Sequence, residues 1–106
     1  MISVTIYKNK NNEVYSFEVK NHSNSHVCAA VSAISINAVN SIKTLTNISD
    51  HNYTLTVNNC GYIFFEVKIN KIKSNNSDVS LLLNSFYLGI TSIKQSYPKE
   101  IKITEV

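Results

Sequence analysis

The sequence predicts an α+β domain, a mainly antiparallel sheet packed with two helices in the order β-β-α-β-β-α-β, and three observations carry that prediction. Short stretches alternate apolar with polar residues, two longer stretches repeat apolar residues at steps of three and four, and Asn-rich turns separate the pieces. With 106 residues, 43% hydrophobic and 16% charged, the chain suits one domain over 1–106 and is too apolar to remain disordered.

Ile2, Val4 and Ile6 alternate with Ser3, Thr5 and Tyr7, and Tyr15, Phe17 and Val19 alternate with Ser16 and Glu18. Residues 2–8 and 13–20 therefore read as a hairpin around the polar turn Asn9-Lys10-Asn11-Asn12. The period then becomes helical: Val27, Val31, Ile34, Ala38, Ile42 and Leu45 define a buried stripe, with Asn24 or Ser25 as N-cap. Ala29, Ala30 and Ala33 widen that apolar face and admit a close neighbour.

Tyr53, Leu55 and Val57 alternate with Thr54 and Thr56 in a third strand. A turn at Asn58-Asn59-Cys60-Gly61 leads to a fourth over 62–72. After a polar linker at 74–76, Ser77 or Asp78 caps a second helix with the stripe Val79, Leu82 or Leu83, Phe86, Ile90, Ile93 and Tyr97. Pro98 ends it, and Ile101, Ile103 and Val106 mark a last strand.

The net charge of +3 comes from Lys alone, for there is no Arg. Arg supplies most bidentate readout of bases and phosphates, so no specific nucleic-acid partner is expected. No uninterrupted apolar run approaches the roughly 20 residues that span a bilayer, and no signal peptide follows Met1. The expectation is a cytoplasmic protein with no membrane partner. Its Asn-x-Ser/Thr triplets then carry no meaning, and a Cys28–Cys60 disulfide would be unusual. No second cluster at zinc-finger spacing accompanies His22, His26 and Cys28, so neither a metal nor another cofactor is expected. The Lys-rich 68–73 stretch reads as a solvated strand face, with a ribosome-facing patch as the other reading.

His22 follows the second strand and Cys28 falls in the first turn of the next helix. The orphan amides and positive dipole of a helix start favour a thiolate, and a nearby imidazole adds to the effect. Such a pair can attack a carbonyl, the histidine later protonating the leaving amine while helix-start amides face the developing oxyanion. On spacing alone this signal is weak, and a small buried cysteine beside solvated loop histidines is the stronger reading.

The words around them narrow the choice. His22 followed by Val27-Cys28-Ala29-Ala30-Val31-Ser32-Ala33 resembles the signature of the ribosomal-processing cysteine proteases called Prp. Leu82-Leu83-Asn84-Ser85-Phe86-Tyr87-Leu88-Gly89-Ile90, with Ile93, Tyr97-Pro98 and Ile101-Lys102-Ile103, is similar to that family's second helix and last strand. The resemblance implies that His22 and Cys28 form the catalytic pair and that Ser32, one helical turn beyond, shapes the substrate site. It implies a homodimer and, as substrate, a ribosomal protein precursor: the bacterial large-subunit protein numbered twenty-seven, cut after a Phe in its N-terminal extension. The chain departs from the family in having Asn21 for the usual Gly, Ser25-His26 for an Asp-Ile-like pair, and a shorter, glycine-free segment at 23–27. A catalytically impaired, ribosome-associated binding protein with the same fold is the alternative. His26 reads as a loop residue and Cys60 as a turn residue without a catalytic role.

Overall fold

Alternation of Ile2, Val4 and Ile6 with Ser3, Thr5 and Tyr7 yields β1, Ile2–Lys8, a strand paired on both sides. The computed structural model describes residues 1–58, 61–68 and 76–106. β2 (Val14–Lys20) runs antiparallel to β1 across a turn in which the Asn9 carboxamide oxygen accepts the amides of Asn11 and Glu13, at 2.9 and 3.0 Å. The register jumps from Tyr7↔Ser16 to Lys8↔Val14, so Tyr15 is the extra residue of a β-bulge. The bulge reverses the inward–outward phase. Val14 takes the core place expected of Tyr15, whose ring lies 6.5 Å from that of Tyr7, an outer-face residue.

α1 spans Ser25–Leu45, and of the two cap candidates Asn24 is the one used: its side chain accepts the Val27 amide at 3.0 Å. The buried residues are Val27, Val31, Ser35, Ala38, Val39 and Ile42, so the expected stripe holds except at its edges. Ile34 is half-buried, and Leu45 is 69% exposed because the helix stops there. The Thr46 amide and hydroxyl both return to the Ile42 carbonyl, Asn47 adopts φ 55°, and Ile48 folds back into the core instead. By length and hydropathy α1 alone among the described residues would qualify as a membrane span, but one side of it is core.

A 3₁₀ turn at Asp50–Asn52, which no periodicity announces, leads into β3 (Tyr53–Val57), an edge strand. β4 (Ile63–Val67) buries Ile63, Phe65 and Val67. Tyr62 precedes the strand and donates its hydroxyl to Glu18 at 2.7 Å; the remainder of the expected strand beyond Lys68 lies outside the described residues. α2 (Asn76–Ser96) begins one residue before the expected caps. It buries Val79, Leu83, Phe86 and Ile90, leaving Leu82 and Ile93 half-buried. Tyr97 lies past the helix end and is exposed, not part of the stripe. β5 (Ile101–Glu105) follows Pro98, and Val106 after it is exposed.

The sheet order is β3-β4-β2-β1-β5, antiparallel except for the parallel pairing of β5 with β1. The inner strand residues and the buried stripes of both helices form one core. Phe86 stacks on Phe17 with ring centroids 4.0 Å apart, fixing α2 over β2. Where the helices cross, a Cβ on Gly89 would collide with Ile34 Cδ1, so glycine permits the close approach.

The end of β5 is tied down by charge. Tyr87 on α2 donates its hydroxyl to Glu105, and Lys8 Nζ sits 3.1 Å from the same carboxylate and 5.1 Å from the Tyr87 ring centre. The Glu105 carboxylate pushes the Tyr87 phenol up to about 12, while Tyr87 and Lys8 hold Glu105 below its ordinary 4.5. A raised phenol stabilises the fold fully below about pH 10 and loses that contribution as pH rises through about 12. A lowered carboxylate contributes above its unfolded value and loses its contribution in acid. In an alkaline absorbance titration, Tyr87 should ionise near pH 12, and Glu105→Ala should bring that step down towards 10. An unchanged titration would show that Glu105 does not hold the phenol.

Candidate active site

A polar residue stands where β2 must turn sharply towards α1, and its backbone explains its identity. Asn21 has φ 70°, in the left-handed region that Gly occupies freely and Asn tolerates best among side-chain-bearing residues. Its side chain reaches back to Ser3 Oγ at 3.4 Å. Asn21 thus satisfies the backbone requirement at a position where glycine is usual in the resembling family.

Just beyond it, His22 and Cys28 line a single pocket of about 250 Å³, together with Ser32 and Ala29 from the same face of α1. Ile2, Val19 and Val31 contribute the core side of the pocket and Gly61 contributes another part of its lining. All three expected site residues therefore converge. His26 is not in the lining: it is the second residue of α1, exposed, so it belongs to the helix and not to a loop. Cys60 lies outside the described residues.

Cys28 is the fourth residue of α1 and half-buried. Its sulfur is bracketed by one neighbour: the Ser23 amide donates to Sγ at 3.3 Å, and the Ser23 carbonyl lies 3.5 Å from Sγ. Among the described residues no hydrogen bond joins Sγ to the imidazole. The His22 ring lies instead against Gly61, whose φ is +83° and on which a Cβ would fall 3.1 Å from His22 Cε1. That glycine serves the turn before β4 and leaves space for the imidazole at once.

Two participants escaped the sequence reading. Gly61 looked like turn punctuation, and only a comparison of homologous sequences would have marked it. Ser23 is one of several serines in a polar segment, and nothing in its spelling shows that its backbone meets the sulfur. No group of three or more His, Cys, Asp or Glu side chains arranged for a metal occurs among the described residues.

The arrangement can place a thiol, an imidazole and a helix start around an exposed concavity, which is the minimum for acyl transfer to sulfur. Comparisons with known proteins agree in kind. The chain is similar over its full length to an essential ribosomal processing protease Prp from S. aureus with a covalently linked product peptide, at 23% identity and TM-score 0.85, both chains fully covered. The same S. aureus protease with a substrate peptide gives 21% identity and 0.84, again with full coverage. SMU.848 from Streptococcus mutans is 27% identical with TM-score 0.82, covering all of this chain and 94% of that one. No curated protein sequence matches. The family model for cysteine protease Prp matches residues 1–102, and the chain accordingly belongs to that family of cysteine proteases.

Proposed function

We propose that this chain is an endopeptidase that removes the N-terminal extension of the bacterial large-subunit ribosomal protein numbered twenty-seven, with Cys28 as nucleophile and His22 as base. The observation that carries the reading is the convergence of His22, Cys28 and Ser32 on one pocket at the start of α1. The ribosomal processing named for the similar S. aureus protease supports the substrate. One domain over 1–106 performs the reaction in the cytoplasm as a homodimer, without a cofactor, metal, membrane or specific nucleic acid.

In this mechanism the Cys28 proton passes to His22 and the sulfur attacks the scissile carbonyl carbon. The tetrahedral intermediate collapses as His22 returns the proton to the leaving amine, and water then releases the product acid from the thioester. Ser32, one turn along the exposed side of the pocket, contacts the bound peptide.

The second reading, an impaired ribosome-associated binding protein, has one observation on its side: among the described residues the sulfur's hydrogen bonds go to Ser23 and not to His22. Catalytic hydrogen bonds often tighten only when substrate binds, which favours the protease. Incubation with a peptide copying the extended ribosomal N-terminus, read by mass spectrometry, separates the two. A cut after the Phe of the extension supports the protease, and tight binding with an intact peptide overturns it. Light scattering in the same buffer should give the dimer mass at micromolar concentration.

A further inference from the structure

Ser23 has no secondary structure to hold it, yet its backbone supplies both polar contacts to the Cys28 sulfur. Two contacts fix it: its hydroxyl donates to the carboxylate of Glu100, 77 residues further along the chain, and the Met1 ammonium donates at 2.9 Å to the His22 carbonyl, which shares a peptide group with the Ser23 amide. Glu100 is fixed in turn. Its amide donates to the Tyr97 carbonyl at 3.0 Å and its carbonyl accepts the Ile2 amide at 2.9 Å, immediately before the β5 residues that pair with β1. The carboxylate is therefore anchored to the sheet, and through one hydroxyl it holds the segment that follows His22 against the sulfur.

We propose that Glu100 is a positioning residue for the protease reaction, acting through Ser23 on Cys28. The proposal rests on Cys28 being the nucleophile. The physical need is plain in this chain: the segment between His22 and Val27 contains neither a strand nor glycine turns, and the Asn24 cap constrains only its far end. Without the tie to Glu100 only the Met1 contact to the His22 carbonyl still restrains this peptide group, and the Ser23 amide has more freedom to turn from Sγ. The thiolate then loses a donor. Glu100 makes no hydrogen bond to the sulfur, and a neutral acceptor of the same length should serve nearly as well.

The test compares Ser23→Ala, Glu100→Ala, the double variant and Glu100→Gln by peptide cleavage and by ¹H–¹⁵N spectra. Each Ala variant should lower kcat about 10- to 100-fold with KM changed less than about threefold, the scale of a nucleophile misplaced by a fraction of an ångström to about 1 Å. The double variant should be no slower than the worse single one, because both break the same chain of contacts. Glu100→Gln should recover to within about threefold of the parent, since its amide oxygen accepts the same hydroxyl. The Ser23 amide resonance should shift in Glu100→Ala and in Cys28→Ala, in folded protein, whether or not peptide is cut. Parent-like kcat in Glu100→Ala, multiplicative losses in the double variant, or an unmoved Ser23 resonance would each overturn the proposal. Cleavage surviving in Cys28→Ala would instead overturn the nucleophile assignment, a distinct failure.

Discussion

Cys28→Ala should abolish peptide cleavage, with a loss of at least about 10⁴-fold, the range seen when other hydrolases lose their nucleophile. Among the described residues nothing else in the pocket offers a replacement: Ser32 lies a full turn further along α1, and no second thiol is in the lining. The fold should survive. Ala has the highest helix propensity, and the side chain removed is half-buried at the core's margin. Cleavage is read by mass spectrometry and the fold by circular dichroism. A folded variant that still cuts at the parent rate refutes the assignment. The companion substitution His22→Ala should cost about 10²- to 10⁴-fold, the usual worth of a positioned base.

Phe86→Ala should lower stability by about 3–5 kcal/mol, the usual penalty for deleting a buried aromatic ring. Phe86 is 3% exposed and its ring stacks on Phe17 at 4.0 Å, so it is the main bolt between α2 and β2. Small domains hold only about 5–15 kcal/mol in total, and the loss is thus a large share of what exists. Urea denaturation should show the midpoint falling sharply with little change in slope. A loss below about 1 kcal/mol would mean that α2 is secured elsewhere, with the α1 contact at Gly89 and Ile34 as the first place to look.

What the sequence disclosed was local, and what it withheld was distant. The hairpin, the helix starting after Asn24 and the proline that ends α2 are set by neighbours a few positions away, whereas His22, Cys28 and Ser32 are singled out by the family resemblance, their spacing alone being a weak signal. The β-bulge was not legible, because Tyr15 fits the alternation with Phe17 and Val19 as well as Val14 fits its own place. Only pairing with β1 decides which residue is the extra one. Leu45 and Tyr97 satisfy helical spacing yet lie outside, since periodicity does not say where a helix stops touching its neighbour. Parallel pairing of β5 with β1 and the hydroxyl link from Ser23 to Glu100 join distant parts of the sequence and leave no local trace.

The β1–β5 pairing has a consequence during synthesis. β1 starts at Ile2 and β5, which completes one of its sides, starts only at Ile101, so the two strands leave the ribosome far apart in time. At about 5–20 residues per second, the nascent chain spends several seconds with the β1 edge open, a ready template for wrong strand partners. Glu100 emerges beside β5, so the Ser23 hydroxyl stays without its carboxylate while the elements before it are already folding. Under the roles proposed for Cys28 and Glu100, the nucleophile gains its full setting only once β5 has closed the sheet.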